Sequence, residues 1–290
     1  MIEALTVLQW PLAACLLLPG LLVYLGLHIV RREIIFVDLA LAQVAALGNC
    51  MAILLGHDAH DWQTFAWAVS FTLVGAALFT MTRTRDHRVP QEALIGIVYV
   101  VAAALGIALL SQTAEGNEEL KRTLVGDVLL VRPGEIAKTF ALYVGVALVH
   151  FVFRRQFFAI SFDPEGAATD GLSVRAWDFL FYALFGLVVT SFVRIGGVLL
   201  VFSYLIVPAV GATLLVDSLV IRLAVGWAIA TGASILGLYG SYALDLPTGA
   251  ALICALGIAL LLAGAAASLR GPRSQAQSSV SLHSSGAPAS

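Results

Sequence analysis

The chain has 290 residues, of which 60% are apolar and 12% charged, with a formal net charge of −2. Soluble globular chains carry roughly 25% charged and about 45–50% apolar residues, so this excess excludes a single water-soluble core and points to a polytopic membrane protein. No basic tract is present, so nothing favours a nucleic-acid partner, and membrane lipid is the solvent the surface has to meet.

A membrane-crossing helix needs about 20 mostly apolar residues. The first such run, 8–30, lacks the basic flank of a cleavable signal peptide and is long enough to cross; Arg31 and Arg32 close it. The second run, 36–56, carries Asp38 near its start and Gln43 five positions later. The turn His57-Asp58-Ala59-His60-Asp61 leads into the third run, 62–82. Its two histidines and two acids could gather a divalent ion, or simply form a polar turn. A basic loop holding Arg83, Arg85, His87 and Arg88 precedes the fourth run, 91–111. Residues 112–134 are polar and amphipathic, with a surface helix expected over about 117–130. The fifth run is 135–153, and the polar, turn-rich segment 162–176 follows it. The runs 177–194, 197–216, 221–241 and 247–269 complete the set. Only Arg194, Gly196 and Gly197 separate 177–194 from 197–216, so the chain is read as an all-α protein of about nine spans, eight or nine in number. Residues 1–270 form one transmembrane domain, and 271–290, rich in Ser, Ala and Gly, are expected to be a disordered cytoplasmic tail. Cys15, Cys50 and Cys254 lie inside apolar runs with no spacing pattern and read as small buried hydrophobes.

Lys and Arg favour cytoplasmic loops. With the N-terminus outside and nine spans, the C-terminus lies inside, and of the 16 basic residues only Lys121, Arg122, Arg132, Lys138 and Arg194 fall outside. The segment 162–176 is then cytoplasmic. Asp163-Pro164-Glu165 reads as a helix start, with an acceptor at the cap, proline in the first turn and an acid near the positive helix end. Gly171 would end that helix after about one and a half turns, and a second short helix is expected to begin near Ser173.

Glu165-Gly166-Ala167 with Gly171 six positions after the Glu resembles the E-A-A-x-x-x-G coupling loop of bacterial ABC importer permeases, with Gly166 in place of the middle alanine. The stretches RREIIFVDLALAQVAALG (31–48), QEALIGIVYVVAAALGIALL (91–110), LVGDVLLVRPGEI (124–136) and IGGVLLVFSYLIVPAVGATLL (195–215) occur in the order seen in the ABC-3 family of zinc, manganese and iron permeases. The resemblance covers roughly residues 10–270. It implies a fold related to the vitamin B12 importer permease, a bacterial cytoplasmic membrane location and a transported divalent metal ion. It also implies three partners: an ABC ATPase, an extracytoplasmic metal-binding protein and a second permease subunit, identical or different. The coupling loop would place Asp163, Glu165 and Gly171 at the ATPase contact. The sequence has no G-x-x-x-x-G-K-[ST] run, so the chain is expected to be a transport subunit and no enzyme, with no bound cofactor of its own.

In the family, the second span carries an acid and a histidine one helical turn apart, both facing the pore. Aligned on the trailing A-L-G, the histidine position holds Gln43 and the acid position Leu39, with Asp38 one residue displaced. Asp38 and Gln43 are about 140° apart around a helix. They are the candidate path-lining pair, against a reading of Asp38 as a helix cap. His57 and His60 are the candidate entrance pair. His28 and His150 lie near the inner ends of their spans and read as interfacial. Pro208 interrupts a span with a missing backbone N–H, either as a gate or as a static kink. Gly237, Gly240, Gly257 and Gly264 would let helices approach closely. A secondary transporter would need charges inside the spans, whereas here nearly every charge lies at a span end. An intramembrane enzyme would need a catalytic constellation at depth, and none is visible.

Overall fold

The computed structural model describes residues 2–58, 61–82, 90–111, 124–126 and 128–269. Among them there is no strand. The helices are α1 (Ile2–Leu17), α2 (Pro19–Arg32), α3 (Val37–Leu54), α4 (Trp62–Thr82), α5 (Gln91–Leu110), α6 (Pro133–Val152), α7 (Arg154–Phe162), α8 (Pro164–Thr169), α9 (Val174–Leu215), α10 (Leu219–Leu244) and α11 (Thr248–Leu269). Eight helical stretches are long and apolar enough to cross a membrane, the first running Gln9–Arg32 through α1 and α2. Each expected span has a helical counterpart within a few residues, because a ~30 Å hydrocarbon core demands uninterrupted apolar helix.

The longest stretch, α9, has 42 residues, which on one axis would reach about 63 Å, twice the hydrocarbon thickness. Gly26 of α2 packs against the carbonyl of Leu205, while Arg32 on the same helix pairs with Asp178 at 3.0 Å. Those six residues of α2 span about 9 Å, but Asp178 and Leu205 would lie about 40 Å apart on an unbroken helix. The chain therefore doubles back within α9. The break is Gly197, at φ 72 and ψ 168, and it brings the rings of Phe192 and Tyr204 to 5.9 Å. Residues 174–196 and 198–215 cross separately, which gives nine crossing segments in the described residues.

Glycine is required at this reversal twice over. Its φ lies in the left-handed region, and a Cβ at Gly197 would run into the backbone of Gly126 and Val125. Gly126 itself has φ 69 and abuts the Gly196 carbonyl, and Gly249 abuts the Val125 carbonyl. This glycine clasp marks one end of the molecule. The other end carries Arg31–Phe36, α7 and α8, and is called the loop end below.

Helix α3 is the most interior, with 67% of its span buried against 17% for α11; the outer faces of α5, α10 and α11 are left for lipid or a partner. Several expectations need correction. Gly237 does meet the Leu252 Cα, at 2.8 Å from a Cβ position, but nothing lies within 4 Å of one at Gly240, Gly257 or Gly264. Cys254 faces outward while Cys15 and Cys50 are buried. Ser173 leads directly into α9, so no second short helix forms there. Residues 128–130, at the end of the expected surface helix, form a 3-10 turn; most of 117–130, and the whole 271–290 tail, lie outside the described residues.

Candidate functional site

Asp38 and Gln43 are both buried, at 1% and 6% exposure, on the central helix α3. Asp38 sits in the first turn of α3, and its Oδ1 accepts from the Leu39 N–H at 2.7 Å. Its Oδ2 is buried with no hydrogen-bond partner. An uncompensated carboxylate oxygen inside a protein is costly, which a cap role alone does not explain. Gln43 points elsewhere on the helix, as the five-residue spacing requires. The sequence reading missed Asn49, whose Oδ1 is also buried and unpartnered. Asn49 follows Asp38 by eleven residues, so the two lie within about 20° of one another and about 16 Å apart along the axis. The signal was the three-turn spacing, hidden because amides are poor metal-ligand markers. Among the described residues no group of three or more His, Cys, Asp or Glu side chains could hold a metal.

At the clasp end, His57 borders a shallow depression of about 380 Å³ with Trp62, Gln63, Ala66, Trp67 and Ser70. His60 lies outside the described residues, so the entrance pair is not seen together. A second cavity, about 260 Å³, is lined by Phe65, Glu135, Lys138, Ser191 and Arg194, among others.

At the loop end, Asp163 caps α8 by accepting the Gly166 N–H at 2.9 Å, and Pro164 fills the first helical position. A Cβ at residue 166 would collide with the Asp163 carboxylate, which accounts for glycine where the resembling motif has alanine. Gly171, at φ 83, ends the segment, and the Leu172 N–H returns to the Ala167 carbonyl at 3.0 Å. Ala167 is buried beneath the helix, whereas Asp163, Glu165, Thr169 and Asp170 are exposed. The result is a short, doubly capped, acidic knob.

Beneath the knob lies a buried polar network. Tyr24, His28 and Arg32 recur every four residues along one stripe of α2. The Tyr24 hydroxyl pairs with His150 Nδ1 of α6 at 3.3 Å, and His28 Nδ1 pairs with Ser161 Oγ of α7 at 3.0 Å. Arg32 Nε donates to the same Ser161 hydroxyl at 2.9 Å, and its Nη1 donates to Asp178 of α9 at 3.0 Å. His28 and His150 are each 2% exposed, and their Nε2 atoms have no partner. Near the inner ends of their spans both are enclosed by protein: Phe157 stacks on His150 at 4.2 Å and Phe158 packs against His28. Helix α7 was not anticipated as a separate element. Its RRQFFAISF sequence turns Phe157, Ile160 and Ser161 inward at helical spacing and leaves Arg154 and Arg155 exposed.

Pro208 is buried in the second half of α9, which stays helical through it; Gly197 is the one non-helical position in that stretch. Close packing holds the Pro208 region, with Gly26 against Leu205 and Ala209, and Gly226 against Val23 and the Pro208 carbonyl.

The fold and the knob together define a polytopic helical membrane protein with a capped, acidic protrusion at one end. Residues 4–267 match the ABC 3 transport family, and the chain belongs to it. It is 30% identical over 239 residues to a manganese transport system membrane protein, MntC, of Listeria innocua, covering 82% of this chain and 83% of the relative. The manganese import system permease protein ScaB of Streptococcus gordonii is 27% identical over 228 residues, 79% of this chain and 80% of the relative. Among solved structures, PsaBC from Streptococcus pneumoniae in complex with Fab has a similar fold. The TM-score is 0.76 at 24% identity, over 90% of this chain and 93% of that one.

Proposed function

We propose that this chain is the membrane permease subunit of an ATP-driven importer of divalent metal, with manganese as the ion carried. The loop end faces the cytoplasm of a bacterial cell, so the N-terminus is outside and the C-terminus inside. An ABC ATPase docks on α8, with Glu165 at the contact and Asp163 and Gly171 fixing its shape. An extracytoplasmic metal-binding protein delivers the ion to the clasp end past His57 and His60, and a second permease subunit completes the pair. Closure of the ATPases pushes α8, and the spans alternate between outward and inward openings.

The observation that carries this reading is the knob itself: a helix capped at both ends, held on a buried stem, in a chain that belongs to a transport family from residue 4 to 267. The choice of ion rests on the relatives named for manganese transport, and the buried, unpartnered oxygens of Asp38 and Asn49 on one face of α3 suit that ion as hard donors.

Elemental mass spectrometry on cells lacking the chain tests this. Manganese should fall while zinc holds, and a Glu165→Arg strain should match the deletion with the protein present in the membrane. Unchanged manganese in the deletion would refute the metal assignment, and full rescue by Glu165→Arg would refute the docking role.

A further inference from the structure

The segment 162–176 enters the molecule through Ser161 and leaves it through the first turns of α9, at Asp178. A single side chain touches both stems. Arg32, on α2, donates through Nε to Ser161 at 2.9 Å and through Nη1 to Asp178 at 3.0 Å. The ion pair is 3% and 1% exposed, and the Arg32 guanidinium lies 3.9 Å from the Phe181 ring centroid. From one turn earlier on α2, His28 pairs with the same Ser161 hydroxyl.

We propose that Arg32 is a positioning residue that clamps both stems of the docking loop to the first span, so that a push on α8 is delivered to α2 instead of being absorbed by bending of the loop. This rests on the reading of 162–176 as the ATPase contact. Three physical arguments lead to it. A buried ion pair is no more stabilising than well-packed apolar residues of similar size, so mere packing gives no reason to place one here. A guanidinium is planar, and its donors leave in fixed directions, so two bonds from one group fix the relative placement of Ser161 and Asp178 as well as their distance. The Phe181 face below it limits motion out of that plane. An apolar join would hold the stems together while letting them slide. The clamp lets the loop, α7, α9 and α2 move as one body.

Arg32→Lys keeps the charge and loses the fork; Ser161→Ala removes the α7 arm and leaves the Arg32–Asp178 pair in place. Each variant is isolated with its ATPase, and manganese imported per ATP hydrolysed is measured in vesicles. The clamp predicts that both variants assemble with the ATPase and hydrolyse ATP. Arg32→Lys should import about tenfold less metal per ATP, the equivalent of one charge-assisted hydrogen bond, and Ser161→Ala should show a smaller loss in the same direction. If Arg32→Lys does not accumulate in the membrane, Ser161→Ala decides the matter alone. An unchanged ratio in the variants that assemble overturns the clamp. So does a parallel fall of hydrolysis and import with the amount of complex, since that marks a purely structural role. A Glu165→Arg control separates the two readings. If that variant still binds the ATPase and transports, the loop reading falls and the clamp with it; if it does not, an unchanged ratio in Arg32→Lys removes the clamp alone.

Discussion

The two ends of the molecule are held together by opposite means. At the clasp end, Gly126, Gly196 and Gly197 bring backbone against backbone, with no side chain between. At the loop end, Arg32, Asp178, Ser161 and His28 meet through directional polar bonds in a shell of aromatic rings. Backbone packing of this kind has one arrangement and yields to none. A network of bonds from a charged, planar group fixes direction as well as distance, and it couples elements far apart in sequence. The backbone join lies where the chain must reverse, and the side-chain join lies under the protrusion read as the moving part.

The largest expected effect is at the rigid end. Gly197→Val would drive a branched side chain into Gly126 at a left-handed backbone position, and should destabilise by more than about 4 kcal/mol. Detergent-solubilised variant that elutes as a single species with wild-type thermal stability would contradict the clasp.

Next comes the loop end. Asp178→Ala removes one side of the buried Arg32–Asp178 ion pair, and should cost about 3–5 kcal/mol. Arg32→Met with Asp178→Leu should recover most of that stability, as apolar replacements of buried pairs do, yet not the transport. Thermal melts in detergent beside uptake assays would show it; recovery of both together would mean the network is only packing.

A smaller change is expected at the cap. Asp163→Ala removes the acceptor for the Gly166 N–H and should cost about 1 kcal/mol locally. Hydrogen exchange should speed up over 164–171 and hardly change in α3; uniform protection would count against the capped knob.

The mildest contrast compares two glycines of α10. Gly240→Ala meets open space and should be neutral or stabilising by up to about 1 kcal/mol. Gly237→Ala presses on the Leu252 backbone and should lower the melting temperature. Equal melting temperatures would remove the claim that Gly237 sits at a tight helix contact.

What could be read in the sequence follows from the range of each interaction. Span positions were legible because hydrocarbon thickness imposes apolar length on each helix separately. The α8 knob was legible because caps act within a few residues, through Asp163, Pro164 and Gly171. The reversal at Gly197 was half legible. The RIGG interruption suggested it, but the turn is closed by Gly126, some seventy residues away, so no polar loop announces it. The Arg32–Asp178 pair joins residues 146 apart. His28 and His150 looked interfacial because each stands near a span end, and only packing of α2 on α6 and α7 shows them facing each other. Asn49 was passed over because it shares a face with Asp38 three turns away, outside the one-turn pattern that draws the eye.

ATP-dependent manganese uptake by proteoliposomes holding the purified permease and its ATPase would test the central claim most directly. ATP is supplied on the loop side, and an Asp38→Asn variant is run in parallel. The account predicts saturable manganese uptake that requires ATP, resists zinc competition, and is lost in Asp38→Asn while that complex still assembles. Uptake that needs no ATP and follows a proton or sodium gradient, or full manganese transport by Asp38→Asn, would contradict it.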